Sequence, residues 1–332
     1  VFDTGAAKKI GEFLLAKNTK NEKIFLAILI LCTGFFSAFF SNTTTTAMFM
    51  PIAAGVCAQS EGNIKRKNIM IAVGYASTIG GCATLMGSPT QHQLAQGILS
   101  ENSYETMSFF YGMKGTAILL ALMMIYFVTL GSKISGKVLD HEGFVSDEKP
   151  QDITEHAKEY KGYKMILSVV ILIAVIVLIA LNILKSGEGA LLGALACVVS
   201  GLISTEDAFK KVNWNVVGML GALLAVSEGF NNCGAGELCV ETMFKIFGEN
   251  ASPFVLYAVI MLIALIITNI IDNIAAQALI APIALSIAQR TGLDVRTTMF
   301  SLMVACNIAF LTPISTPCIT MTAQEGYRFT DY

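Results

Sequence analysis

Residues 24–59 and 253–289 form two apolar blocks, each too long for one membrane-crossing helix and each broken at its centre by polar residues. In the first the break is Ser41-Asn42-Thr43-Thr44-Thr45-Thr46; in the second it is Asn269, Asp272 and Asn273. Hydrocarbon supplies no partner for a freed backbone N–H or C=O, so a break at that depth persists only where protein buries it or where it lines a cavity. Each block therefore predicts a helical hairpin with a polar tip. Composition requires lipid as the solvent: charged residues are 14% of the chain, against about a quarter in soluble proteins, and mean hydropathy is +0.65. The run 165–184 is polar only at Ser168 and Asn182; at about 1.5 Å per residue it matches a hydrocarbon core of about 30 Å.

Laid over one another, the two blocks expose an internal repeat. Gly5-Ala6 opens an amphipathic segment with Ile10, Phe13 and Leu14 on one face, as Gly234-Ala235 opens one with Val240, Met243, Phe244 and Phe247. Asn42 and Asn273 follow, and nine residues beyond each stands a proline, Pro51 and Pro282. A second break comes later in each copy, Gly87-Ser88-Pro89-Thr90 and Pro313-Ile314-Ser315-Thr316-Pro317. Between the hairpins lie five apolar blocks, 68–99, 108–134, 165–184, 189–203 and 214–230; an odd number of crossings inverts the second copy. Seventeen of the 22 Lys and Arg then fall on one side and five on the other, which puts the first hairpin's mouth in the cytoplasm and the second's outside. The expected organisation is the latter part of a first repeat over 1–134, a cytoplasmic loop over 135–163 holding Pro150, and a second repeat over 164–332 lacking its last helix. Val1 in place of Met, and Tyr332 after a soluble-looking turn, are expected of a chain cut at both ends.

Interrupted helices have a chemical use. Half-helix N-termini aim N–H groups and positive dipole ends at an anion, while freed carbonyls and hydroxyls collect a hard cation such as Na⁺. Ser, Thr and Asn suit this because they offer oxygen or donate without bringing a fixed charge. Each feature alone has a plainer reading: 41–46 as a water-exposed loop, Pro89 and Pro317 as kinks, Asp272 as a charge at a helix end, Glu228 as interfacial. Other classes find no support. The net charge of -2 and the lack of a basic aromatic patch argue against nucleic acid. The eight cysteines and His92, His141 and His156 show no metal-ligand spacing, and no G-x-S-x-G, H-E-x-x-H or intramembrane Asp pair points to an enzyme.

These residues resemble the divalent anion/sodium symporters of the ion transporter superfamily, which carry Ser-Asn-Thr at each re-entrant hairpin tip and a Gly-Thr-Pro-Pro or Ala-Thr-Pro-Pro break in the helix that follows. Ser41-Asn42-Thr43 matches the first tip, and Gly80-Gly81 through Gly87-Ser88-Pro89-Thr90 is similar to the first break, with Thr90 for the second proline. Trp214-Asn215, leading to Gly221, is similar to the helix before the second hairpin. The second half departs, with Asp272-Asn273-Ile274 at the tip and Ser315-Thr316-Pro317-Cys318 at the break. The resemblance implies an all-α, inverted-repeat secondary transporter with two re-entrant hairpins and two broken transmembrane helices, working by alternating access as a homodimer in the cell membrane. It implies a small anionic substrate, a di- or tricarboxylate, held by Ser41, Asn42, Thr43, Pro89, Thr90, Asn273, Thr316 and Pro317. Coupling Na⁺ is implied at Ser37, Ser41, Asn42 and Gly87, and again at Thr268, Asp272, Asn273 and Ser315. A proton-coupled or exchange-type carrier of an inorganic anion is the alternative within the same superfamily.

Overall fold

The computed structural model describes residues 21–60, 63–131, 162–210 apart from 182 and 185, isolated positions between 212 and 245, and 252–332 apart from 314. The described residues are helical and contain no strand. The amphipathic segment opening at Gly5, the loop as far as residue 161, Asn215 and Glu228 lie outside the described residues, and the 214–230 block is described only at isolated positions.

Each broken block folds as two helices. α1 (Glu22–Phe39) and α2 (Asn42–Gln59) meet across Phe40 and Ser41, a shorter interruption than the polar run 41–46 suggests. The reason is local: Ser41 caps α2 by accepting from the Thr44 N–H at 3.3 Å, and Thr46 returns its hydroxyl to the Asn42 carbonyl one turn back. Asn42 to Thr46 thus form the first turns of a helix. α3 (Arg66–Gly80) follows, then a turn over 81–88, then α4 (Pro89–Glu101), so the 68–99 block is one interrupted helix. Pro89 suits the first helical position, where a missing N–H costs no intrahelical bond. α5 (Met113–Tyr126) runs on as a π turn over Phe127–Gly131; α6 (Gly162–Ala180), α7 (Ser186–Val199) and the short α8 (Thr205–Lys210) come next.

The second half repeats the sequence of events. α9 (Pro253–Thr268), capped by Ser252, and α10 (Asn273–Thr291), capped by Asp272, meet across 269–272. Gly292, at φ 71°, provides the left-handed residue that ends α10. α11 (Val295–Asn307), capped by Asp294, is separated by 308–316 from α12 (Pro317–Ala323), which starts on a proline as α4 does.

Among the described residues two large hydrophobic cores organise the packing, and each recruits a segment from the other half. Phe25, Leu29, Ile30, Phe49, Ile69 and Met70 of α1–α3 build the first core, which also takes Tyr327 from beyond α12. Ile280, Leu285, Met299 and Leu302 of α10 and α11 build the second, which takes Leu94, Ile98 and Leu99 from α4. Accordingly α12 packs on α2 and α3, and α4 packs on α10 and α11. The Arg66–Glu325 ion pair and the Tyr327 hydroxyl, donating to the Lys67 carbonyl at 2.6 Å, fasten the segment after α12 to the start of α3. Gly80 lets α1 and α3 touch through bare backbone, since a Cβ there would stand 2.3 Å from the Gly34 carbonyl oxygen. Outside the cores, α5 exposes Ile118, Leu122, Ile125 and Leu130, and α9 exposes Leu262, Ile263 and Ile266. Such a surface suits hydrocarbon rather than water, and Glu22–Phe39, Met113–Gly131 and Asn273–Thr291 are long and apolar enough to cross a bilayer.

Candidate functional site

At the first tip, Asn42 opens α2 and Ser37 lies fully buried in the last turns of α1. The Ser37 hydroxyl is 2.6 Å from the Ser77 carbonyl and 3.0 Å from the Asn42 amide. A hydroxyl has one proton, and the carbonyl claims it. The Asn42 amide nitrogen therefore turns towards Ser37 Oγ, donating also to the Gly87 carbonyl at 3.0 Å, and its oxygen accepts from the Ser88 hydroxyl at 2.9 Å. One amide thereby ties the tip of the α1–α2 pair to the break between α3 and α4.

The break is glycine-lined for a steric reason. A Cβ on Gly81 would stand 1.8 Å from the Asn42 amide, and one on Gly87 would stand 2.4 Å from the Ser37 carbonyl oxygen and 2.5 Å from that of Gly81. Only bare backbone fits; it gathers the carbonyl oxygens of Ser37 and Gly81 around Gly87, whose own carbonyl meets the Asn42 amide. Thr84 donates to the Ala38 carbonyl and pins the break to the end of α1. Thr46 and Ser77 hydroxyls, 2.5 Å apart, close the cluster from beneath.

The second tip reproduces the core of this arrangement with different residues. Thr268 ends α9, fully buried, and its hydroxyl is 2.9 Å from both Asn273 Oδ1 and the Cys306 carbonyl of α11. Thr268 stands five residues before Asn273, as Ser37 stands five before Asn42. Asn269 ties this tip to its break: its side-chain oxygen accepts from the Leu311 N–H at 3.0 Å and its carbonyl from the Thr312 hydroxyl at 2.8 Å. The second break is also held against α3, because the Tyr75 ring of α3 stacks on Phe310 at 4.1 Å and its hydroxyl donates to the Phe310 carbonyl.

Ser37, Asn42 and Gly87 are thus brought together, as are Thr268 and Asn273. Other residues singled out in the sequence serve locally in this conformation. Ser41 and Thr316 cap α2 and α12. Ser315 donates within its own break, to the Ala309 carbonyl at 2.8 Å. Asp272 is exposed and caps α10, accepting from the Ile274 N–H at 2.9 Å. Thr43 and Thr90 are half-buried beside the tips, with Pro89 and Pro317 exposed at the starts of α4 and α12. Sequence reasoning did not find the Ser77 and Cys306 carbonyls, since every residue has one, nor Gln91 and Gln277, which look like ordinary polar residues of apolar helices.

The described residues are all-helical, with lipid-suited flanks and paired polar breaks, the build of an integral, multi-pass protein of the cell membrane. The family follows from residues 1–305, which match the CitMHS family, described as citrate transporters; the chain belongs to that family. It is similar to an uncharacterised transporter of Methanocaldococcus jannaschii, 26% identical over 317 residues, covering 93% of this chain and 69% of the relative. The sodium-dependent dicarboxylate transporter SdcS of Staphylococcus saprophyticus is 27% identical over 338 residues, covering 90% of this chain and 62% of the relative. The chain therefore spans about two thirds of the length of the curated relatives it matches. The fold is similar to that of the YdaH transporter of Alcanivorax borkumensis, with a TM-score of 0.55 at 14% identity, covering 99% of this chain and 75% of that one.

Proposed function

We propose that this chain is the larger part of a Na⁺-coupled symporter that carries a small anion, a di- or tricarboxylate, by alternating access. The observation that carries the reading is the duplicated unit in which a buried hydroxyl, the asparagine opening the next helix and a carbonyl of the following helix meet, Ser37–Asn42–Ser77 and Thr268–Asn273–Cys306. Neutral oxygens in that number suit a weakly charged hard cation, and the cation is a transported species here. The Ser37, Gly81 and Gly87 carbonyls with the Asn42 side chain are the candidate ligands at the first tip, beside Ser41. Thr268, Asn273 and neighbouring carbonyls are those at the second, with Asp272 and Ser315 within the same tip and break. The anion would lie between the tips, where α2, α4, α10 and α12 all begin and present N–H groups, beside Ser41, Asn42, Thr43, Pro89, Thr90, Asn273, Thr316 and Pro317. On this reading the two helix pairs are re-entrant hairpins of an inverted repeat, 135–163 is a cytoplasmic loop joining the halves, and the full-length protein works as a homodimer.

The test is uptake of radiolabelled succinate into proteoliposomes of the full-length protein under an inward Na⁺ gradient, a K⁺ gradient, or a pH gradient without Na⁺. Uptake only with Na⁺ is expected. Uptake driven by the pH gradient alone, or only in exchange for an internal inorganic anion, would replace Na⁺ symport with the proton-coupled or exchange-type alternative.

A further inference from the structure

Behind the second tip lie two amides that the transport site as described does not use. Gln91, third residue of α4, is 5% exposed, and Gln277, one turn beyond Asn273 on the same face of α10, is 1% exposed. The Gln277 amide nitrogen donates to the Gln91 backbone carbonyl at 2.9 Å. That bond fixes the amide's orientation, because reversing it would set oxygen against oxygen. Two polar atoms are then left shut away from solvent without a partner: the side-chain oxygen of Gln277, an acceptor, and the side-chain nitrogen of Gln91, a donor. Buried polar groups of this kind are rare and call for a partner. In the first half the matching position, four residues beyond the asparagine, is Thr46, and its hydroxyl is fully engaged with the Asn42 carbonyl and Ser77. The unmatched pair therefore straddles the two halves, on the seam where α4 meets α10, at the N-terminal ends of both helices.

We propose that Gln91 and Gln277 determine specificity by recognising a hydroxyl group on the transported anion, an inference that rests on the carboxylate reading above. The complement of one free donor and one free acceptor is a group that accepts and donates at once. A hydroxyl accepts from Gln91 Nε2 and donates to Gln277 Oε1. A carboxylate, which only accepts, would set its lone pairs against Gln277 Oε1. The seam is closed over both atoms in this conformation, so any group that reaches them as α4 and α10 separate leaves its water behind, and a substrate lacking the hydroxyl leaves the pair unsatisfied. Selectivity for the hydroxylated acid follows.

The experiment compares malate with succinate as inhibitors of radiolabelled succinate uptake by the full-length protein in Na⁺-driven proteoliposomes. In the native protein malate should inhibit at concentrations about tenfold lower than succinate. In Gln277→Met, which keeps side-chain length, and in Gln91→Met, the ratio should fall to within about twofold, while the Na⁺ half-saturation moves by less than about twofold. Equal inhibition in the native protein, or a preference that survives both substitutions, overturns the assignment. A collapsed ratio accompanied by a matching loss of Na⁺ affinity also overturns it, because the amides then act on the fold of the site rather than on the hydroxyl. Absence of uptake of either acid by the native protein would defeat the carboxylate reading itself, and this inference with it.

Discussion

The two tips solve one problem with unequal means. At the first, glycines carry the break against the α1–α2 pair, and Asn42 reaches across to Gly87 and Ser88. At the second, the break 308–316 contains no glycine, and the tip reaches its break through Asn269 to Leu311 and Thr312. What the tips share is the hydroxyl five residues before the asparagine and the carbonyl it meets. The difference teaches that the buried hydroxyl–amide–carbonyl unit is the common part, while the route by which each break is held against it is free to vary.

The comparison breaks most sharply at matched break positions. Gly87→Ala would drive a Cβ into the Ser37 and Gly81 backbones, at a cost of about 1–3 kcal/mol or more of overpacking, whereas Ser315→Ala removes one hydroxyl bonded within its own break. Thermal melts in detergent should show a large loss for the first and less than about 1 kcal/mol for the second; equal losses would mean the breaks are built alike. Next come the asparagines. Asn42→Ala and Asn273→Ala should each weaken Na⁺ half-saturation about tenfold, the cost of a charge-assisted contact of about 1.5–3 kcal/mol, and native kinetics in either variant would take that asparagine out of the site.

Smaller effects sharpen the picture. Thr268→Val keeps shape and removes the shared hydroxyl, and Ser37→Ala does nearly the same in the other half; each should lower stability by about 1 kcal/mol, measured by denaturant unfolding. Asp272→Asn keeps a capping oxygen and removes an exposed charge, so Na⁺ half-saturation should rise by no more than about threefold. A variant that kept its Na⁺ response but lost its dependence on external pH would make Asp272 a proton carrier instead. The last test sits at the start of α11. Asp294 caps that helix, while Lys65, at the start of α3, gives no side-chain cap. Burial pushes the Asp294 carboxyl up, but bonds from the Thr297 hydroxyl and N–H, with Arg296 nearby, hold it below the ordinary value. Its stabilisation is therefore present above the usual carboxylate range and is lost as pH falls through the lowered value. Asp294→Ala should cost about 1 kcal/mol at neutral pH and progressively less in acid, read from unfolding curves across that range.

Much of this was legible before any coordinates, for a physical reason. A polar residue in an apolar run has to be accounted for, so Asn42, Asn273, Pro89 and Pro317 stood out and fell where helices begin. The exchange of α4 and α12 between the cores did not stand out, because an apolar helix carries no mark of which apolar neighbour it will meet. Partners that act through backbone carbonyls, Ser77 and Cys306, were equally silent. The length of the first interruption was misjudged because threonine reads as polar, whereas Thr46 returns its hydroxyl to its own helix.

The exchange of α4 and α12 also sets an order of assembly. Arg66 and Glu325 are separated by 259 residues, and Tyr327 reaches back 260 residues to Lys67. In chain order α4 is made before the helices that cover it, and α2 and α3 wait for α12 until the second half has been synthesised. Each core includes a segment of the other half, so long-range contacts of this kind defer consolidation until both halves have been made. A chain stopped short of α12 would leave the seam on α2 and α3 uncovered.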